Sequence, residues 1–373
     1  MKKIILFGPK LNITNSNAYG AGTGGYTRNC MVYLEHFTFG DFQIVPCFHT
    51  IRGELDYGIL TSPIRLLIDV IAFLKVLLSN DIHGVHVLAQ YRGAAIRELV
   101  ICLISFCLRK PVLYEIKAGA FESAYLDKGI FYRFLIKLTI RLATRILVEG
   151  QRYVNVIPRL FNRNAVHFPN VVPMKEIPYN TPPRLISEEL KILFVGFAYE
   201  GKGIFELLEG CDRTAAAGYK IKLTIVGHVD VDVEKYLSSV KFSEGLEIIQ
   251  KGKLHHESVL HEMQVNDVYC YPTKHDGEGH NNSINEALMY EMIIVTTNKG
   301  FIGEFLSAKN AYVIDDLSSE NVKLALLSII ANPSFALSKA AQGRDLILEK
   351  FNSKIASKTL NDQYLKLSMR DAT

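Results

Sequence analysis

Short apolar runs alternate along the whole chain with stretches whose apolar residues recur at every third or fourth position. The runs predict strands at 3–7, 43–46, 85–88, 112–116, 145–148 and 165–168 in the first half. In the second half they predict strands at 191–195, 222–226, 247–249, 267–271, 292–296 and 311–314. Helical periodicity fills most of the gaps, for instance at 26–37, 63–78 and 131–143, and again across 338–369 with a break near Phe351-Asn352-Ser353. Alternation of this kind predicts an α/β fold built from doubly wound parallel sheets. Pro173, Pro178, Pro182 and Pro183 crowd the middle of the chain and mark a linker. We therefore expect a Rossmann-like domain over 1–172, a linker over 173–189 and a second Rossmann-like domain over 190–352. A C-terminal helix over 353–373 has room to cross back to the first domain. Ligands of such sheets bind beyond the carboxyl ends of the strands, here in the cleft expected between the domains.

At 373 residues, 49% hydrophobic and 21% charged, the chain can bury two cores and is not of disordered composition. The cysteines at 30, 47, 102, 107, 211 and 270 show no paired metal spacing and sit mostly in apolar runs, as buried free thiols of a reducing compartment would. The apolar run at 4–7 is a strand rather than a signal peptide, and 99–108 is too short to span a bilayer. A cytoplasmic protein is expected. Charge is unevenly divided: residues 1–180 hold 21 Lys+Arg against 12 Asp+Glu, a net of +9, and the remainder holds 21 against 26, a net of −5. The basic half is expected to face an anionic partner, membrane or nucleic acid.

The densest candidate chemistry lies in EGHNNSINEALMYEMIIVTT, from Glu278 to Thr297. Glu278 and Glu286 flank seven residues where a polar loop becomes an amphipathic helix. The free N–H groups and positive dipole end of a helix N-terminus attract a phosphate, while carboxylates accept hydrogen bonds from sugar hydroxyls. This combination suits a sugar nucleotide. The structural alternative is a capping box, with Glu286 reaching back to the N–H of Ser283.

Upstream, KILFVGFAYEGKG at 191–203 reads as a strand, a glycine and a helix start, followed by LTIVGH, QKGKL and VNDVYCYPT. In this order and spacing the motifs resemble those of the retaining GT-B glycosyltransferases, in the large family of group 1 glycosyl transferases. The resemblance covers the second half well. It covers the first half through Gly24-Gly25, Pro169-Asn170 and the Phe351-Asn352-Ser353 of the tail. It implies a GT-B fold of two Rossmann-like domains and transfer of a sugar from a nucleotide-sugar donor, with retention and without a metal or other cofactor. Glu278 matches the carboxylate that meets donor-sugar hydroxyls, and Glu286 the one that holds the ribose. The amides of Asn281, Asn282 and Ser283 match those on the sugar and distal phosphate. Lys202 matches the cation on the diphosphate, and Gly24 and Gly25 the loop closing over it. On this resemblance Glu278 and Lys202 are the expected catalytic pair, because fixed positive charge stabilises the departing nucleoside diphosphate.

Two positions depart from the pattern. The family carries an Arg soon after the first glycine of the second domain, where this chain has Phe197-Ala198-Tyr199 after Gly196; Arg28 and Lys117 are the candidates to replace it. The family's His on the acceptor side corresponds to Lys117, and His86 is a further acceptor-side candidate, as is a packed core role for it. The resemblance implies a glycan or lipid-linked acceptor in bacterial surface polysaccharide biosynthesis, and no nucleic acid. Arg133, Lys137, Arg141 and Arg145 recur every four residues among Phe, Leu and Ile. They form a basic amphipathic stripe suited to an anionic membrane, at the inner face of the plasma membrane, or else an ordinary solvated helix face. The alternatives are a non-hydrolysing sugar-nucleotide epimerase of related fold and a catalytically lapsed scaffold.

Three further motifs are read as bland. Gly20 to Gly25 satisfies the dinucleotide fingerprint, but some eleven residues separate Gly8 from Gly20, which puts it at the wrong place relative to the first strand. Asp230-Val231-Asp232 imitates a metal-binding pair and is expected to be an exposed loop. His255, His256 and His261 lack further ligands at metal spacing and suit a solvated helix start.

Overall fold

The computed structural model describes residues 1–9, 25–50, 61–89, 92–179, 181, 184 and 187–367. They divide into two compact units. Unit 1 comprises the described residues up to Asn170 together with those from Ser353 onward, and unit 2 is Val171–Asn352.

In unit 1, β1 (Lys2–Pro9) leads to α1 (Gly25–His36), β2 (Phe42–His49), α2 (Thr61–Ser79), β3 (Ile82–Ala89), α3 (Ala95–Cys107) and β4 (Val112–Ile116). There follow α4 (Phe121–Asp127), α5 (Ile130–Leu142), β5 (Arg145–Val148), α6 (Tyr153–Phe161) and β6 (Val166–His167). The strands form one parallel sheet in the order β2-β1-β3-β4-β5-β6. A parallel sheet is covered on both faces, so its strands read as unbroken apolar runs. Ile4 to Phe7 and Val85, Val87 and Leu88 are accordingly almost fully buried.

Unit 2 contains β7 (Glu189–Val195), α7 (Ile204–Ala216), β8 (Lys220–Val226), α8 (Val231–Ser239), β9 (Leu246–Gly252), α9 (His256–Val265) and β10 (Val268–Tyr271). It continues through α10 (Asn282–Met289), β11 (Ile293–Thr297), β12 (Tyr312–Ile314), α11 (Ser319–Ala331) and α12 (Pro333–Glu349). Its parallel sheet runs β12-β11-β10-β7-β8-β9. Within the unit this is the doubly wound order in which the chain reverses direction between its first and fourth strands, here β7 and β10.

The helical tail breaks at Lys350–Asn352 between α12 and α13 (Ser353–Lys366). α13 belongs to unit 1, where Tyr364 is fully buried against Phe42 and His86. The expected strands all appear: six are longer than expected, two keep their bounds, one is shifted by a residue and three are shorter. Five cysteines are buried and free; Cys107, at the end of α3, is free and exposed, contrary to its place in an apolar run. No single helix among the described residues is long and apolar enough to cross a membrane.

Candidate active site

In sheets of this kind ligands bind at the carboxyl ends of the strands where the order reverses, here β7 and β10, and the two following loops carry polar side chains there. After β7 the chain turns through a 3-10 segment, Glu200–Lys202, and enters α7 through Gly203. Gly203 has φ +68°, and a Cβ there would collide with the carbonyl of Pro272 on the loop after β10. Only glycine lets the two loops approach this closely. The Lys274 N–H donates to the Gly201 carbonyl at 3.0 Å and fastens one loop to the other.

This contact brings Lys202 and Glu278 together. The Lys202 ammonium donates to Glu278 Oε2 at 2.5 Å and lies over the Tyr271 ring, 5.2 Å from its centroid. Both side chains are largely buried, 15% and 11% exposed, so the pair is screened less than a surface ion pair. Thr273 Oγ1 donates to Glu278 Oε2, and the Tyr271 hydroxyl and Asn281 Nδ2 donate to Oε1, each at 3.3 Å. Burial first, and then the Glu278 charge, hold the Tyr271 hydroxyl well above its usual pKa, so it remains a proton donor to the carboxylate. The backbone of Glu278 is fixed as well: its carbonyl accepts from Phe301 N–H at 3.0 Å. Gly300, at φ +58°, passes so close that any Cβ would strike the Glu278 backbone.

The helix that starts beside this pair is capped by Asn281, not by Ser283. Asn281 Oδ1 accepts from the N–H groups of Ser283 (2.9 Å) and Ile284 (3.2 Å) and from Ser283 Oγ (2.6 Å). The Tyr269 hydroxyl meets Ser283 Oγ at 2.7 Å. The capping-box expectation is therefore corrected, and so is the expected phosphate role of the Ser283 amide, which the cap already occupies. In the first turn the Asn282 N–H has no acceptor within the helix. Glu286 is released from capping and sits buried with Oε1 3.7 Å from His256 Nδ1, while His256 Nε2 lies 3.4 Å from Glu176 Oε2. His256, read from sequence as a solvated helix start, is thus held between two carboxylates. No spacing rule links residues 176, 256 and 286, so only the tertiary fold reveals the trio. His255 and His261 are exposed, as expected, and Asp230 caps α8 by accepting from Asp232 N–H at 3.1 Å.

Where the family's Arg is missing, the structure places aromatic rings. Phe197, 44% exposed, stacks on the exposed His228 ring at 5.1 Å and 25°, and lies 5.0 Å from Tyr199. Phe197 follows β7 and His228 follows β8, so this aromatic ledge stands at the same carboxyl edge as Lys202. The absence of the Arg is legible in the sequence, whereas the ledge depends on the tertiary approach of the loops after β7 and β8.

In unit 1, His86 takes the packed core role of its two expected alternatives, and the acceptor-side expectation for Lys117 is corrected. His86 is fully buried on β3, with Nε2 2.9 Å from Glu115 Oε2 and Nδ1 2.9 Å from the Tyr364 hydroxyl. Lys117, its side chain 2% exposed, pairs with Glu115 Oε1 at 2.9 Å and donates to the Phe168 carbonyl at 3.1 Å. His86 joins β3 to β4 and α13 instead of presenting a polar end to a ligand, and Lys117 is committed to Glu115 rather than to a phosphate. Arg28 is buried on α1. Gly25 opens α1, whereas Gly24 and the preceding glycine run lie outside the described residues.

The basic stripe also divides. Arg133 donates to the carbonyls of Leu126 (2.6 Å) and Lys128 (3.0 Å), and Arg145, on β5, donates to that of Lys366 (3.3 Å). Lys137 and Arg141 remain on the exposed face of α5. Among the described residues no group of three or more His, Cys, Asp or Glu side chains is placed to hold a metal ion.

Comparison with known proteins matches residues 180–345, which contain Lys202, Glu278, Asn281 and Glu286, to the family described as glycosyl transferases group 1. The capsular polysaccharide biosynthesis glycosyltransferase CapM of Staphylococcus aureus is 24% identical over 186 residues, 48% of this chain and 47% of CapM. The chain thus spans about half the length of the curated relatives it matches. Among solved structures, sucrose-phosphate synthase from Thermosynechococcus elongatus superposes with a TM-score of 0.73 at 14% identity, over 99% of both chains. HepE of Anabaena, solved with UDP and glucose, gives 0.67 at 10% identity over 97% of this chain and 99% of its own. These likenesses show the fold, and the family match is confined to the second half of the chain. The chain has the GT-B fold, and its residues 180–345 match the family described as glycosyl transferases group 1.

Proposed function

We propose that this chain is a retaining, metal-independent glycosyltransferase that moves a hexosyl group from a nucleoside diphosphate sugar to a glycan or lipid-linked acceptor in surface polysaccharide assembly. The observation that carries the proposal is the Lys202–Glu278 pair, set at the β7–β10 reversal beside the N-terminus of α10. In the reaction, the bond from the anomeric carbon to the distal phosphate oxygen breaks, the acceptor hydroxyl oxygen bonds to the same face of that carbon, and its proton passes to the departing diphosphate. The negative charge that grows on the departing diphosphate falls where Lys202 and the α10 dipole are already oriented, so little reorganisation accompanies the step. Glu278, fixed by Tyr271, Thr273 and Asn281, takes the sugar hydroxyls, and Glu286, one turn and a half into α10, takes the ribose. CapM's description as a capsular polysaccharide glycosyltransferase supports the acceptor class, and HepE's complexes make UDP the first nucleotide to test.

The test is incubation of the purified chain with UDP-, GDP- and ADP-sugars, following the products by NMR. Transfer or slow donor hydrolysis with α configuration preserved supports the proposal. Inverted product overturns retention, a changed sugar without transfer identifies an epimerase, and loss of activity on chelation overturns metal independence. Absence of nucleotide binding and of turnover across the panel identifies a lapsed scaffold.

A further inference from the structure

The α4–α5 turn of unit 1 is exposed along its whole length, from Leu126 through Phe131. Its apolar side chains are large and open to solvent: Leu126 is 45% exposed, Ile130 87%, Phe131 68% and, one turn on, Phe134 59%. The turn is not slack. Arg133 clasps the carbonyls of Leu126 and Lys128, and the Lys128 ammonium lies 5.0 Å from the centroid of the Tyr132 ring, so the backbone holds the apolar tip outward. Only two residues separate α5 from β5, which means α5 runs back from the carboxyl edge of the sheet to its amino edge. Its first turn therefore stands at the edge where ligands of parallel sheets bind.

Along the outward face of α5 the apolar first half gives way to Lys137 and Arg141, with no acidic residue anywhere in the helix. An apolar tip flanked by cations suits a bilayer with anionic headgroups: the rings enter the acyl boundary while the cations stay at the phosphates. A second copy of the chain would set like charges face to face, and a nucleic acid would leave Ile130 and Phe131 in water. We propose that this tip, Leu126 to Phe134 with Lys137 and Arg141, seats unit 1 on an anionic lipid surface. The residues that carry it are the clasped apolar turn and two cations, in place of the four-residue basic stripe expected from sequence. The proposal is independent of the donor site, and vesicle binding needs no nucleotide sugar, so the two fail separately.

The chain has no tryptophan, so Phe131→Trp supplies a single reporter. With phosphatidylglycerol–phosphatidylcholine vesicles at low salt, its emission is expected to shift to the blue and to resist acrylamide quenching, and the wild-type chain to co-sediment. Phosphatidylcholine alone should give neither result. Tyr219→Trp, on unit 2, should not shift. Adding Lys137→Glu and Arg141→Glu to Phe131→Trp should weaken vesicle affinity by at least about tenfold, since each cation near such a surface contributes roughly fivefold. Ile130→Asp should weaken it in the wild-type background. The proposal is overturned if the wild type fails to co-sediment at low salt, if neutral vesicles bind equally, or if charge reversal leaves the shift unchanged. It is also overturned if sedimentation velocity shows a dimer that protects the Phe131→Trp ring without lipid.

Discussion

At the scale of single residues, the proposed phosphate site leans on Lys202, because Phe197 stands where the resemblance leads one to expect a second cation. A charge-assisted hydrogen bond contributes about 1.5–3 kcal/mol, so Lys202→Ala should weaken nucleoside diphosphate binding about ten- to hundredfold. Calorimetry with UDP and GDP checks this, and unchanged affinity for both would remove Lys202 from the phosphate site. Phe197→Arg should act in the opposite sense, tightening diphosphate binding about five- to tenfold on the same grounds, discounted for the exposure of Phe197. Glu286→Ala separates binding from stability. Asn281, not Glu286, caps α10, so melting should change little. A ribose contact present in both ground and transition states should instead raise KM with kcat nearly unchanged. A large stability loss with unaltered KM would return Glu286 to a structural role alongside His256.

Elements are held in place by buried polar networks as much as by apolar packing. In unit 1, Glu115 is fully buried between Lys117, His86 and the Tyr33 hydroxyl, which donates at 2.7 Å. Burial alone would raise its pKa, but Lys117 and the hydrogen bonds from His86 and Tyr33 outweigh it and hold the carboxyl at about 2. A carboxyl depressed on folding stabilises the fold above its unfolded pKa of 4.5 and loses that contribution as pH falls from 4.5 towards about 2. The melting temperature should therefore drop across this window, and Glu115→Gln should flatten the drop. Lys117→Met leaves a buried carboxylate short of its cation, and breaking such a pair costs about 3–5 kcal/mol. If Lys117→Met melts like the wild type at neutral pH, the network contributes nothing to the docking of α13 through Tyr364.

For the whole molecule, the division into two units separates stability from ligand response. The Lys202–Glu278 site lies entirely within Val171–Asn352. A nucleoside diphosphate that binds only the folded site raises its melting temperature by mass action. Hydrogen exchange should thus show UDP-dependent protection concentrated in the loops after β7 and β10 and the first turn of α10. Lys117→Met should loosen β3, β4 and α13 and leave that protection intact. Protection confined to unit 1 would place the nucleotide elsewhere.

How much of this was legible in the sequence follows from the range over which each interaction acts. The strand–helix alternation and the break before α13 are local signals, because burial on both faces of a parallel sheet imposes unbroken apolar runs. The spacing of Glu278 and Glu286 likewise belongs to one loop and one helix. Other features depend on contacts between residues far apart in the chain. Asn281 takes the cap from Ser283 because the loop held against Gly300 points its side chain at the helix start. His256 meets Glu286 only because α9 and α10 pack together, and His86 and Lys117 are drawn into the core by Glu115 and a helix that begins at Ser353. Periodicity likewise marks Phe131 and Phe134 as apolar without saying whether a neighbour covers them. The order of the elements and the position of the Glu278–Glu286 motif were determined by sequence alone. Which polar groups face a ligand, which face one another and which apolar groups face water was decided by the tertiary structure, because hydrogen bonding and burial are settled by whatever the fold brings within a few ångströms.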